Sequence, residues 1–493
     1  MQGIVATIVY TAASLLAPLV LMNIYHGRKT QQQVTAYDDT MPNPNQKPYR
    51  KLTHPHKYIL DILLGFIFER FIPLGKIGDY YSDSKDIPQK SKGRTQESEL
   101  NSLEKFRVKI ERFEYAIHVF FCFLWNWSLM FNQSGDNLIV GMATVPRNPN
   151  ILKEWGIVQD HNLNGKMSFQ DEGGDVEIEV TCPSSLVKGL TQLRTNGGGL
   201  FCRKLIRCCS LDELKLDLSP SVPILLWMHG GGFTVGSTRD FSSKLAYELC
   251  NNPCDEKKQK GQPIILLSIN YRCAPEKPFP ASVIDCLSVA EFLMEKLNSP
   301  IHIAGFSAGG NLASVTAFES MRRYPVGKLK SLVAIDPALS PMIYNLKSYQ
   351  MNVLSSSFCP PSFLIWSWAK YLQLASDCDI SKYREELEKS CIFTASSSSS
   401  DKAEGTPNPL VRLLCPYSSV PKELRLSHAP RIIVKTSSGC PLEDDGLHLI
   451  QQIKEAGGSV VALRGKGSHG IATVLDIKSS NEFISQWASI IWP

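Results

Sequence analysis

Residues 300–313, PIHIAGFSAGGNLA, decide how this chain is read. Pro300 to Ala304 is short and apolar, as a buried strand is, and Asn311 to Glu319 has the pattern of a helix. Between them Gly305-Phe306-Ser307-Ala308-Gly309 spells G-x-S-x-G, a sharp turn that lifts one serine above a sheet. Such a turn needs small residues two positions either side of the serine, which Gly305 and Gly309 supply. The helix N-terminus then aims backbone N–H groups at negative charge developing near Ser307.

A second segment lies upstream. Pro223 to Met228 (PILLWM) reads as a buried parallel strand that runs into His229-Gly230-Gly231-Gly232-Phe233. Three glycines let the main chain approach a substrate carbonyl with its amides free, so the expected oxyanion donors are Gly231, Gly232 and Ala308. His229 is expected to brace this loop through its ring rather than to act as a base. Downstream, Val460 to Leu463 reads as a strand leading to Gly465-Lys-Gly-Ser-His469-Gly-Ile. A histidine in a late loop, after the last long strand, is placed to be the general base.

HGGGF, then NYRCAPEKPFPA at 270–281, then GFSAGG resembles the hormone-sensitive-lipase-like branch of the α/β-hydrolases, to which arylacetamide deacetylases and fungal sterol-acetate deacetylases belong. The resemblance runs from about residue 215 to the C-terminus and is most specific up to residue 313. It implies an α/β-hydrolase with a mostly parallel central sheet and a helical cap, hydrolysing esters through Ser307 and His469 without cofactor or metal. Phe306 stands where the branch usually carries an aspartate, at a variable position of the turn.

The third member of the triad departs from that pattern. Aligning Pro441-Leu442 with the branch's Pro-Leu puts Cys440 where an aspartate is expected. A neutral thiol does not stabilise an imidazolium as a carboxylate does, and losing a triad acid costs about four orders of magnitude in turnover. Three readings stay open. The acid has moved to Asp336, at the end of the strand 331–335. Alternatively, Glu443 or Asp444 reaches back from the next helix, although acids there also suit a helix N-terminus. In the third, the chain is a catalytically weak or inactive ligand-binding protein of the same fold. Branch members that become receptors tend to lose the histidine, and His469 is present.

The first 25 residues carry no charged side chain and precede Arg28-Lys29. That is enough for an apolar span, since about 20 residues cross a bilayer. An N-terminal membrane anchor over 1–25 is therefore expected, and the resemblance suggests the endoplasmic reticulum. The basic flank favours a cytosolic body and the resemblance a lumenal one, so orientation stays open. Residues 26–150 are read as a membrane-associated helical and cap region. It holds the apolar stretches Lys57–Leu74 and Tyr115–Phe131 and a polar linker at 80–104. Either stretch could lie on the membrane, cap the site or pack as ordinary helices, with Tyr115–Phe131 a candidate second span. Residues 151–493 are read as the hydrolase domain, with a cap insertion at 340–410 that includes a helix over 362–375 and a polar loop from Ser396.

A formal charge of +5 on 493 residues gives no case for nucleic acid. Fourteen cysteines form no CxxC or other tight framework. Cys202, Cys208 and Cys209 lie in an apolar–basic stretch, and Asn126 and Asn132 open glycosylation tripeptides. The expected partners are a membrane and a small lipophilic ester: a sterol acetate, an acylglycerol or an aryl ester.

Overall fold

The computed structural model describes residues 138–156, 173–183, 222–236, 264–325, 327–352, 361–376, 380–390, 409–470 and 477–491, with short pieces elsewhere. The expected anchor, both apolar stretches of the N-terminal region, the linker 80–104, the loop from Ser396, the cysteines at 202, 208 and 209, and both glycosylation tripeptides lie outside them. Among the described residues no helix is long and apolar enough to cross a membrane.

Among the described residues the sheet has ten strands: β1 Thr35–Ala36, β2 Leu138–Pro146, β3 Asp175–Pro183, β4 Leu205–Arg207, β5 Ile224–Met228, β6 Ile265–Ile269, β7 Ile301–Phe306, β8 Leu329–Ile335, β9 Arg431–Gly439 and β10 Val460–Ser468. They lie in the order β1-β10-β9-β8-β7-β5-β6-β3-β2-β4. From β6 through β5, β7, β8 and β9 to β10 every neighbouring pair is parallel. β3 runs antiparallel to both β6 and β2, so the sheet is mostly parallel with an antiparallel flank. Because β2 is part of this sheet, the α/β unit begins by residue 138, ahead of the boundary expected at 151.

Strands buried on both faces read as apolar runs, and β5 is buried at every position. Its side chains still alternate. Ile224, Leu226 and Met228 enter the larger core, while Leu225 and Trp227 enter the smaller one. Helix α1 Ala281–Lys296, helix α2 Ala308–Arg323 and a later helix, Glu443–Glu455, pack on the larger side. On the smaller side lies the last helix, Ile477–Ile491, whose Phe483, Ile484 and Trp487 are buried.

Between β8 and β9 come α3 Lys347–Asn352, α4 Pro361–Tyr371, α5 Ile380–Lys389 and α6 Pro409–Leu414. After β9 comes α7 Glu443–Glu455 and after β10 comes α8 Ile477–Ile491, while one short turn of helix, Ile151–Glu154, follows β2. α4 corresponds to the helix expected at 362–375 but ends at Tyr371.

Two strands run past their expected ends. β9 extends to Gly439 and β10 to Ser468, because their pairing continues through Ser437 with Gly465 and Gly439 with Ser468. That extension sets Cys440 and His469 immediately beyond two adjacent, parallel strand ends, at the same edge of the sheet as Ser307.

Candidate active site

Ser307 occupies the sharp turn between β7 and α2, with φ 56° and ψ −119°. A non-glycine residue there is strained, and the surrounding contacts hold it. Its N–H donates to Ile335 O at 2.9 Å, and its carbonyl accepts from Ala338 N at 3.1 Å. A side chain on Gly305 would strike the Gly309 carbonyl, and one on Gly309 would strike the carbonyls of Met228 and His229. The turn therefore closes only with glycine at both places.

The HGGGF loop follows β5 beside it. His229 stacks on Tyr271 with ring centroids 4.0 Å apart, and its Nδ1 lies 2.7 Å from Gly230 O. The Tyr271 hydroxyl donates to His229 O at 2.8 Å. This is the bracing role the sequence suggested for the ring. Gly231 and Gly232 have φ of 111° and 61°, and Gly231 O accepts from the amides of Thr234 and Val235. The amides of Gly231, Gly232 and Ala308 donate to no acceptor among the described residues. Amides left without an acceptor in a largely buried loop are uncommon and point to a ligand.

His469 Nε2 lies 3.0 Å from Ser307 Oγ, with the ring buried against Phe306 at a centroid distance of 5.0 Å. Its other nitrogen, Nδ1, lies 3.0 Å from Cys440 Sγ. Sulfur also accepts the Leu442 N–H at 3.3 Å, and the Cys440 carbonyl accepts from Asn352 Nδ2. Burial pushes the His469 imidazole below its usual range, with the charge of Asp336 acting the other way. Burial, together with Asp336 and Cys359, pushes the Cys440 thiol well above its ordinary value, against the pull of the Leu442 N–H. The group facing Nδ1 is therefore a neutral thiol.

None of the three expected acids occupies that place. Asp336 follows β8 with φ 41°, and its Oδ2 accepts from Ser437 Oγ at 2.9 Å and from Gly470 N at 3.1 Å. It touches the histidine loop one residue past the ring. Glu443 is held by Arg464, Oε1 to Nε at 2.5 Å, which keeps it on the α7–β10 side. Asp444 accepts from Ser348 N at 2.8 Å, tying the start of α7 to α3. Both acids serve the helix start and its neighbours, the role their position at an N-terminus already allowed. Cys440 stands in the sequence at the position expected for the acid, and the structure places its thiol on Nδ1. Strand register, which brings it to Nδ1, was only partly visible.

α4 covers the oxyanion loop. Phe233 stacks on Tyr371 at 4.1 Å and packs on Trp368 at 4.9 Å, and the Tyr371 hydroxyl bonds Ser282 at 2.8 Å. Phe363 and Ser367 lie directly over Gly232, and the Ser367 hydroxyl is buried without a partner among the described residues. The site is therefore closed in by aromatic rings, with Ser307 only 6% exposed. Asp285 lies apart from the site, held by Arg147 at 2.7 Å and by Arg272. Among the described residues no cluster of side chains could hold a metal ion.

Residues 225–397 match a family described by its alpha/beta hydrolase fold. Arylacetamide deacetylase of Bos taurus is 26% identical over 302 residues, covering 53% of this chain and 72% of that protein. The enzyme of the same name from Oryctolagus cuniculus is 30% identical over 156 residues, 30% of this chain and 37% of its own length. Neutral cholesterol ester hydrolase 1 of Bos taurus is 25% identical over 268 residues, 47% of this chain and 63% of that protein. With this sheet order, this serine turn and these relatives, residues 225–397 carry an alpha/beta hydrolase fold, and the chain is similar to carboxylic ester hydrolases of the arylacetamide deacetylase and cholesterol ester hydrolase kind.

Proposed function

We propose that this protein hydrolyses lipophilic carboxylic esters by two-step acyl transfer. The observation that carries the reading is the unbroken row Ser307 Oγ, His469 Nε2, His469 Nδ1 and Cys440 Sγ, each link 3.0 Å, beside three amides without acceptors. With the proton on Nδ1 donated to sulfur, Nε2 accepts the proton of Ser307 as its oxygen attacks the ester carbonyl. The amides of Gly231, Gly232 and Ala308 stabilise the oxyanion. Water then attacks the acyl-enzyme, with His469 again the base.

The aromatic enclosure of Phe233, Phe363, Trp368 and Tyr371 suits an apolar acyl or alcohol group. Relatives named for arylacetamide deacetylation and cholesterol ester hydrolysis support aryl and sterol esters as the class, and acylglycerols are expected from the sequence alone. A membrane anchor over residues 1–25, holding the enzyme at the endoplasmic reticulum, is part of this reading and rests on the sequence alone.

The second reading, a binding protein, is favoured by one observation: the thiol at Nδ1. Hydrolysis of 4-nitrophenyl acetate and longer acyl esters by detergent-solubilised protein separates the two. An esterase is labelled by a fluorophosphonate and loses all turnover in Ser307→Ala. A folded protein that resists the label and turns over no faster than Ser307→Ala is the binding protein.

A further inference from the structure

Below the site lies a buried carboxylate that the three-membered row does not use. Asp336 is 1% exposed, and both of its donors, Ser437 Oγ and the Gly470 amide, converge on Oδ2. Oδ1 is buried with no partner among the described residues. Two donors on one oxygen and none on the other leave Oδ1 without a hydrogen bond. The anchor on one side is the residue next to His469; on the other it is Ser437 of β9, the strand that ends at Gly439 just before Cys440.

We propose that the two tasks of a triad acid are divided here: Cys440 orients the His469 ring, and Asp336, fixed against the Gly470 amide, supplies the charge that stabilises the imidazolium. The inference rests on the ester-hydrolase reading. Its physical basis is distance and medium. A unit charge buried against the amide of the residue after His469 interacts with the ring several times more strongly than it would in bulk water. The other titratable groups facing Asp336 or His469 are Cys359, Cys440, Glu443 and the buried Lys435, whose ammonium donates to Thr436 O. Lys435 faces Asp336 from β9, and Asp336 in turn favours the charged form of Lys435 against its burial.

Asp336→Asn is the test, because the amide oxygen can still accept from Ser437 and Gly470 while the charge is lost. The expected result is a fall of about a hundredfold in kcat with KM within about twofold. The acid limb of the kcat/KM profile should move down by about one unit. In a Cys440→Asp background, where a carboxylate already meets Nδ1, the same exchange should cost less than about tenfold. A loss of equal size in both backgrounds, or an Asp336→Asn enzyme within about threefold of the parent with its acid limb unmoved, overturns the proposal.

Ser437→Ala is the second variant, since it keeps the charge and removes one anchor. Turnover within about fivefold is expected; a hundredfold loss there would make the contact network the working feature and overturn the proposal. A histidine NMR titration of His469 in parent and Asp336→Asn reads the same charge without turnover. If the parent lacked serine-dependent hydrolysis, the ester-hydrolase reading would fall. The NMR shift would still decide the electrostatic claim.

Discussion

At the scale of single residues, the site turns on what faces Nδ1 of His469. A carboxylate there fixes the proton on Nδ1 and leaves Nε2 as the base, whereas a thiol can donate as well as accept and so tolerates the wrong tautomer. Cys440→Asp is therefore expected to raise kcat about tenfold or more, measured on 4-nitrophenyl esters, with Ser307→Ala as the blank. The pH dependence has a definite sign. Catalysis needs neutral His469, and burial lowers its pKa from the ordinary 6.5. The parent should keep its kcat/KM below pH 6.5 and lose it only as pH falls through the lowered value. In Cys440→Asp the acid limb should move upward. The serine, the histidine and the cysteine were all legible in the sequence, from G-x-S-x-G, from the late glycine-rich loop and from Pro441-Leu442. Asp336 was named there too, as a relocated acid; that it meets the Gly470 amide rather than the ring was not legible, because a backbone contact has no sequence pattern. Glu443 and Asp444 misled because a helix start and a triad acid ask for the same residue types.

At the scale of elements, the serine turn and the oxyanion loop are one construction. Gly309 lies against the carbonyls of Met228 and His229, so β5 and α2 approach each other through a residue with no side chain. Gly309→Ala should cost about 2–4 kcal/mol, read as a lowered urea midpoint, and activity should fall with it as the turn shifts. Strands β5, β7, β8, β9 and β10 were legible from apolar runs, their starts within a few residues, whereas β6 beside β5 was not anticipated. Nor was the run-on of β9 and β10. Ser437, Gly465 and Ser468 lack the β-branched and aromatic character that marks a strand, and only pairing with a parallel neighbour keeps them extended. The three glycines of the oxyanion loop were legible as a group. The packing of α4 on Phe233 was not, since it joins segments more than a hundred residues apart.

At the scale of the whole molecule, the sheet separates a large core carrying the cap from a small one closed by α8. Trp227 on β5 and Trp487 on α8 meet with ring centroids 6.1 Å apart, and both are fully buried. Trp487→Ala should cost about 3–5 kcal/mol, read by thermal or urea denaturation. Because Trp227 adjoins the strand end that launches the oxyanion loop, its effect on kcat should exceed that of an equally costly change at the far edge of the large core. The stacking of Phe233 on Tyr371 has a mechanical meaning as well. It bolts the roof of the site to the same loop that must hold still during the reaction. A roof hinged at α4 would pull the oxyanion amides out of line each time it swung. If the site takes the lipophilic ester proposed above, an entrance elsewhere along the cap would let the guest in without loosening the grip on its carbonyl.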